Sequence, residues 1–190
     1  TSVGYSKKII YRNQSNVNND IYVTGNLGDS FIGLQVLKNK IKLNKSKTKY
    51  FINKYYMPDI QIKFSKNLLS LATSSMDISD GLITDLNKLI NKQNFSYKIY
   101  EKLIPVSRNL NNLINSKNLK KIDLVSNGDD YQILFTAKPN KARIIKKLSK
   151  SLGVKISKIG TILSGKNKSL ILDQKGREIA INVDGYIHQF

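Results

Sequence analysis

Residues 75–82, Ser-Met-Asp-Ile-Ser-Asp-Gly-Leu, constrain the fold of this chain most, because they join two different hydrophobic periodicities. The residues before them have the character of a β-strand, whereas the apolar residues after them recur at helical spacing. That helical stripe consists of Leu82, Leu86, Leu89 and Ile90. Asp77, Ser79 and Asp80 therefore lie at a strand-to-helix corner. Such a corner can hold a hydrated divalent cation through its carboxylates and can face phosphate with the free N–H groups of the helix's first turn.

A second acidic turn, residues 127–131 (Asn-Gly-Asp-Asp-Tyr), precedes another strand-like segment. Asp129 and Asp130 are adjacent carboxylates, which repel each other unless a cation or a hydrogen-bond donor compensates. Both turns also have a purely structural interpretation, with Ser79 or Asp80 only capping a helix and the second turn only bonding its own backbone. Tyr131 is interpreted as a strand-core residue. We expect the two turns to converge on one cleft for metal and phosphate.

Strands and helices are mixed along the chain rather than strictly alternating. Strands are predicted at residues 2–5, 21–24, 73–78, 96–99, 131–136, 155–162, 169–173 and 178–183, and helices after Asp29 or Ser30 as N-cap, from Pro58, from Leu82, around 110–114 and at 142–152, closed by Gly153. Residues 165–167 and 174–176 suit hairpin turns. This pattern predicts an α+β fold with a mixed, mostly antiparallel sheet and helices packed on one face.

Composition excludes several classes of protein. The 190 residues contain no Cys, which excludes disulfides and thiolate zinc sites and fits a cytoplasmic protein. No stretch approaches the length of a membrane helix. Lys and Arg total 32 against 13 acids, a net charge of +19. A nucleic-acid partner would explain this charge, but Lys greatly outnumbers Arg, and an AT-rich genome supplies Lys, Asn and Ile alike. We favour the compositional explanation and interpret the basic run 38–49 as a solvated helix end and loop.

Two other motifs carry no function. Residues 160–167 nearly match a phosphate-binding P-loop, but Asn167 stands where Ser or Thr must reach Mg²⁺, and a strand rather than a helix follows. His188 is the only His, which excludes metal sites built from several His ligands. We assign it a structural role.

The chain resembles the C-terminal part of thiamine-monophosphate kinases, a family within the aminoimidazole ribonucleotide synthetase-like superfamily. Four segments match in family order, from about Arg12 onward: residues 21–30 (IYVTGNLGDS), 76–82 (MDISDGL), 127–136 (NGDDYQILFT) and 185–190 (GYIHQF). The resemblance implies phosphorylation of thiamine monophosphate to thiamine diphosphate with ATP and Mg²⁺. It implies these roles: Asp77 and Asp80 as Mg²⁺ ligands, Ser79 and Arg12 as ATP contacts, and Asp129 and Tyr186 as substrate contacts.

The sequence also departs from this family. Asp129 replaces the usual Glu and Asn127 the first Gly of that turn, changes that bear on substrate affinity. Family members carry an N-terminal domain with an acidic Mg²⁺-binding cluster. Residues 1–14 are interpreted as a residual strand or linker from such a domain, and residues 15–190 as the C-terminal α+β domain. We expect the isolated chain to be inactive without that partner domain and the whole enzyme to be a homodimer.

Other functions stay open. The chain resembles, at the level of the ATP cleft, other enzymes of the same superfamily, including selenophosphate synthetase. From a different class, the net charge of +19 allows a basic nucleic-acid-binding module, although few aromatic residues alternate with the basic ones. A noncatalytic oligomerisation domain is the third alternative.

Overall fold

A computed structural model describes residue 5, residues 8–165 and residues 168–180. Within these residues six strands form one sheet in the order β2-β4-β1-β5-β3-β6. The strands are β1 (Asp20–Thr24), β2 (Ala72–Ile78), β3 (Phe95–Tyr100), β4 (Gln132–Ala137), β5 (Ile156–Ser164) and β6 (Leu170–Leu172). Neighbouring strands are antiparallel except for the parallel pair of β3 and β6. The predicted α+β class and mixed, mostly antiparallel sheet are confirmed.

The helices lie between the strands and cover the sheet. They are α1 (Asp29–Leu37), α2 (Lys45–Tyr56), α3 (Ile62–Ser65), α4 (Leu68–Leu71), α5 (Leu82–Leu89), α6 (Arg108–Lys117), α7 (Lys121–Val125) and α8 (Ala142–Leu152), with single 3-10 turns at Glu101–Leu103 and Pro139–Lys141. Gly153 ends α8 in the left-handed conformation (φ +64°), as predicted. In the described parts of the chain, no helix combines the length and apolar character that crossing a bilayer demands.

Helices pack against both faces of the sheet, which corrects the one-sided arrangement expected from the sequence. Successive residues of β4 show this: Leu134 belongs to a core with α5 and α7, whereas Phe135 belongs to a core with α3, α4 and α8. Side chains alternate between faces along a strand, so the two cores lie on opposite sides. A third core joins α1, α2 and α6 around Ile32, Phe51 and Leu110.

Several local predictions fail for identifiable reasons. The helix α2 is not among the helices predicted from the sequence, because its basic sequence buries only Phe51 and carries little apolar periodicity. The single helix expected from Pro58 is instead the short pair α3 and α4, and Ile60 is exposed. The expected hairpin at residues 165–167 is wrong, because β3 lies between β5 and β6. The turn at 174–176 does bring Leu172 and Glu178 together as an antiparallel bridge.

Some predictions fall partly or wholly outside the described residues. His188 and residues 2–4 of the expected first strand are among these, and so is half of the expected last strand, residues 181–183.

Candidate active site

The two acidic turns lie side by side because β2 and β4 are antiparallel neighbours. Ile78, the last residue of β2, is opposite Gln132, the first residue of β4. Beyond the strands, the Tyr131 N–H donates to the Ile78 carbonyl at 2.8 Å and the Asp129 N–H donates to the Ser79 carbonyl at 3.0 Å. The sheet register therefore joins two segments about fifty residues apart in sequence into one surface.

Glycines permit this close approach of the two turns. A Cβ at Gly128 would lie 1.9 Å from the Ser79 carbonyl oxygen, and a Cβ at Gly81 would lie 2.0 Å from the Ser126 carbonyl oxygen. Gly81 also has a φ of +118°, which L residues with a side chain rarely adopt. Any larger residue at either position forces the backbones apart.

Asp85, which is not among the site residues predicted from the sequence, holds the first turn in shape. Its Oδ2 accepts the N–H groups of Ser79, Asp80 and Gly81 at 2.9, 2.9 and 3.1 Å, and the residue is fully buried. The carboxylate thus holds the loop that leads into α5, which begins at Leu82. These three N–H groups precede the helix and are committed to Asp85, so they are not free for phosphate.

A lysine neutralises the acids of this turn. Lys88 forms ion pairs with Asp80 Oδ2 and, at 3.1 Å, with Asp85 Oδ1. Burial by itself lowers the pKa of Lys88, but the hydrogen bonds and charges of the two aspartates outweigh it, and the net pKa is raised. The Asp80 carboxylate therefore already faces a cation.

An open cleft of about 930 Å³ lies between these turns and the helices α1 and α2. Its lining consists of Phe31, Leu34, Gln35, Lys38, Tyr55, Ser79, Asp80, Asn127, Gly128, Asp129 and Tyr131. The cleft thus has a polar wall at the two turns and a largely apolar wall at α1 and α2. Lys38, predicted to be part of a solvated helix end, is exposed at the end of α1 and also lines this cleft. Tyr131, predicted to lie in a strand core, is instead 43% exposed there.

The adjacent carboxylates of the second turn avoid repulsion by pointing to different environments. Asp129 lines the cleft, whereas Asp130 is buried and accepts the Gly28 N–H at 2.7 Å. The pKa of Asp130 is raised to about 8, and burial is the largest cause. The hydrogen bond from the Gly28 N–H lowers this pKa, whereas the nearby charge of Asp29 raises it. The Gly28 N–H, rather than a cation, compensates the Asp130 carboxylate. This hydrogen bond anchors the start of α1 to the second turn.

Asp29 is also buried and belongs to the support of the cleft rather than to a helix cap. Gly28 occupies the N-cap position of α1, which corrects the predicted cap at Asp29 or Ser30. The Asp29 carboxylate accepts hydrogen bonds from Ser107 Oγ at 2.7 Å and from the Tyr50 hydroxyl at 2.9 Å. Burial raises its pKa. Asp29 therefore ties α1 to α2 and to the first residue before α6.

The structure brings together three of the six residues named from the sequence. Ser79, Asp80 and Asp129 line the cleft. Asp77 is exposed on β2, outside that lining but close enough for its charge to raise the pKa of Tyr131. Arg12 is exposed and lies elsewhere: its neighbour Asn13 donates to the carbonyl of Leu89, at the far end of α5. Eight helical residues span about 12 Å, so Arg12 is well removed from the first turn. Tyr186 lies outside the described residues.

Some important residues were missed, although one of them had a visible signal. Asp85 stands next to the apolar stripe of α5, and an acid on the buried side of a helix indicates a partner within the fold. Lys88 follows one turn later on the same side. No comparable signal marks the α1 wall of the cleft, because only the packing of α1 against α2 and α6 brings it there.

Comparisons with known proteins show which family this chain belongs to. Residues 16–173 match the family model described as AIR synthase related protein, C-terminal domain. The chain is 34% identical to the thiamine-monophosphate kinase of Buchnera aphidicola subsp. Schizaphis graminum, over 96% of this chain and 56% of that relative. It is 30% identical to the thiamine-monophosphate kinase of Escherichia coli K12, over 88% of this chain and 51% of that relative. The chain therefore spans about half the length of the curated relatives it matches.

A solved structure supports the fold. The structure of AaThiL complexed with AMPPCP and TMP superposes with a TM-score of 0.76 at 24% identity, covering 95% of this chain and 54% of that one. At this identity the likeness bears on the fold alone. The match of the family model over most of the sequence decides the assignment: the chain belongs to the family of AIR synthase related proteins and contains their C-terminal domain.

Proposed function

We propose that this chain is the C-terminal part of a kinase that phosphorylates thiamine monophosphate to thiamine diphosphate with ATP and Mg²⁺. One observation carries the proposal: the two acidic turns converge on a single cleft of about 930 Å³, in a chain whose curated relatives above are thiamine-monophosphate kinases. Clefts of 300–1,000 Å³ are the size that small ligands occupy.

The residues present fit part of a Mg²⁺ shell. Mg²⁺ is commonly bound by one or two carboxylates together with water and substrate phosphates. Asp77 and Asp80 provide that number, and the pairing of Asp80 with Lys88 supports the idea that this carboxylate accepts a cation. Across the described residues, no group of three or more acidic, His or Cys side chains is placed to hold a metal. The remaining ligands would come from phosphate, water or another domain. Bound Mg²⁺ would neutralise the charge of the donor and acceptor phosphates.

The other side chains would bind and orient the substrates. Transfer between two phosphates requires positioning and charge neutralisation but no covalent enzyme intermediate. Lys38, on the wall of α1, supplies a cation that suits a phosphate group. Ser79 would contact ATP and Asp129 the thiamine monophosphate. The roles proposed for Arg12 with the nucleotide and Tyr186 with the substrate rest on the resemblance.

The proposal includes a second domain. Because the matched relatives are nearly twice as long, we expect activity to require an acidic Mg²⁺-binding domain in addition to residues 15–190. The homodimer and the cytoplasmic location also stay predictions. The isolated chain, mixed with ATP, Mg²⁺ and thiamine monophosphate, should show no turnover; robust turnover would contradict this part alone.

A hybrid enzyme tests the function itself. This chain would replace the matching region of the Escherichia coli relative, and thiamine diphosphate formation would be followed chromatographically. We expect ATP- and Mg²⁺-dependent product, and a loss of about 100-fold or more in rate with Asp77→Asn, the size seen when one group that stabilises transition-state charge is removed. Asp123→Asn, the same change at an exposed acid of α7, should have no effect.

Two results would overturn the proposal. A folded hybrid that makes no thiamine diphosphate, or makes a different phosphorylated product, would favour another enzyme of the superfamily. Equal rates for Asp77→Asn and Asp123→Asn would assign the first turn a structural role.

A further inference from the structure

Tyr131 is directed into the cleft by an unusual backbone. Its φ is +49°, a left-handed conformation that is rare for a bulky L residue. Its N–H is fixed to the Ile78 carbonyl at 2.8 Å, and the next residue, Gln132, is buried. The aromatic ring is consequently turned out of the core and remains 43% exposed.

The surroundings of Tyr131 suit a flat ligand. Tyr55 from α2 and Phe31 and Leu34 from α1 line the same cleft. Aromatic side chains stack with planar rings and present a negative π-face to cations. These residues therefore offer an aromatic and apolar wall beside the polar turns.

The charge around Tyr131 is negative. Burial raises its pKa, and the neighbouring charges of Asp129 and Asp77 raise it further. Lys88 pairs with Asp80 and is not part of the cleft lining. Lys38, which also lines the cleft, belongs to the α1 wall and suits the phosphate end of a ligand.

We infer that Tyr131, with Tyr55, forms a subsite for the cationic heteroaromatic ring of the acceptor, and that Asp129 balances its charge. This inference rests on the proposed function, because thiamine and its phosphates carry a permanently positive thiazolium ring. It adds a ring-binding residue that selects for positive charge. A cation held over an aromatic face gains enough to change affinity by about 3- to 30-fold.

Binding to the full chain tests the subsite without requiring turnover. The probes are thiamine and its neutral thiophene isostere, in which carbon replaces the charged ring nitrogen, and the measurement is calorimetric Kd. We expect Tyr131→Leu to weaken thiamine binding by about 3- to 30-fold and to change isostere binding less than twofold. Tyr131→Phe should retain the wild-type preference for the cation. Tyr11→Leu, at another exposed tyrosine outside the cleft lining, is the matched control.

A second variant separates loss of the ring from loss of folding. Asn tolerates the left-handed backbone, so Tyr131→Asn removes the ring while keeping the turn. It should show the same selective loss of thiamine binding, with an unfolding midpoint no lower than that of the wild type.

The outcomes distinguish this inference from the proposed function. If thiamine binds equally to wild type, Tyr131→Leu and Tyr131→Asn, or if the isostere is weakened as much as thiamine, the subsite is wrong although the kinase assignment stands. A hybrid that makes thiamine diphosphate while the chain binds no thiamine also overturns the subsite alone. Failure of both binding and turnover overturns both.

Discussion

Removal of the Asp85 carboxylate should cost this protein a large part of its stability. The carboxylate accepts three N–H groups within 3.1 Å and faces Lys88, all from a fully buried position. Each hydrogen bond to a charged group contributes roughly 1.5–3 kcal/mol, but bonds that share one acceptor are not additive. Lys88 is 38% exposed and keeps Asp80 as a partner, so loss of its ion pair with Asp85 adds little. From the three hydrogen bonds we expect Asp85→Ala to lower the free energy of unfolding by about 3–5 kcal/mol.

Asp85→Asn should lower the free energy of unfolding by less, about 2 kcal/mol, because the amide keeps one acceptor oxygen but loses the charge. Both variants would be measured by urea unfolding followed by circular dichroism. With a urea m-value near 2 kcal/mol/M, the midpoint of Asp85→Ala should fall by about 2 M. The control is Asp123→Asn, an exposed acid in α7, which should stay within about 0.5 kcal/mol of the wild type.

The decisive result is the order of the three variants in free energy of unfolding. If Asp85→Ala is no less stable than Asp123→Asn, the carboxylate does not hold the first turn. If Asp85→Asn is as damaging as Asp85→Ala, the charge matters more than the acceptor oxygen, and the hydrogen-bond explanation is wrong.

Three further outcomes follow from the same geometry. Gly128→Ala should lower the free energy of unfolding by about 3 kcal/mol or more, because its Cβ would lie 1.9 Å from a backbone carbonyl oxygen. Gly153→Ala has open space around the new Cβ and only a left-handed φ, so it should lower this free energy by about 1–2 kcal/mol. Equal losses in urea unfolding would contradict the steric explanation. Burial raises the pKa of Asp130 to about 8, so the folded state binds more protons than the unfolded state between pH 4 and pH 8, and stability should fall as pH rises through that window. Asp130→Asn should flatten this fall in unfolding midpoints measured at several pH values, and an unchanged slope would refute the assignment. Finally, Lys88→Met should tighten Mg²⁺ binding several-fold in calorimetry, because the ammonium competes for Asp80; weaker binding would show that Lys88 supports the metal instead.

Much of the candidate site was predictable from local patterns. The sequence placed Ser79, Asp80 and Asp129 in two turns bordered by glycine, and all three line the cleft. Residues such as Asp and Gly at strand ends have strong local preferences, which is why these turns were recognised. Arg12 was assigned by resemblance, and packing at the end of α5 places it away from that cleft.

The sequence by itself determined the α+β class, most strands, and the chemistry of the two acidic turns, because each depends on periodicity and turn preferences within about ten residues. Only the tertiary structure decided which strands are neighbours, that helices cover both faces of the sheet, and that Asp130 turns inward while Asp129 and Tyr131 face the cleft. Strand order and burial arise from contacts between residues far apart in sequence, which no local pattern encodes. For the same reason, the role of Asp85 and Lys88 in holding the first turn together is seen only in the structure, because neither residue belongs to a recognised motif.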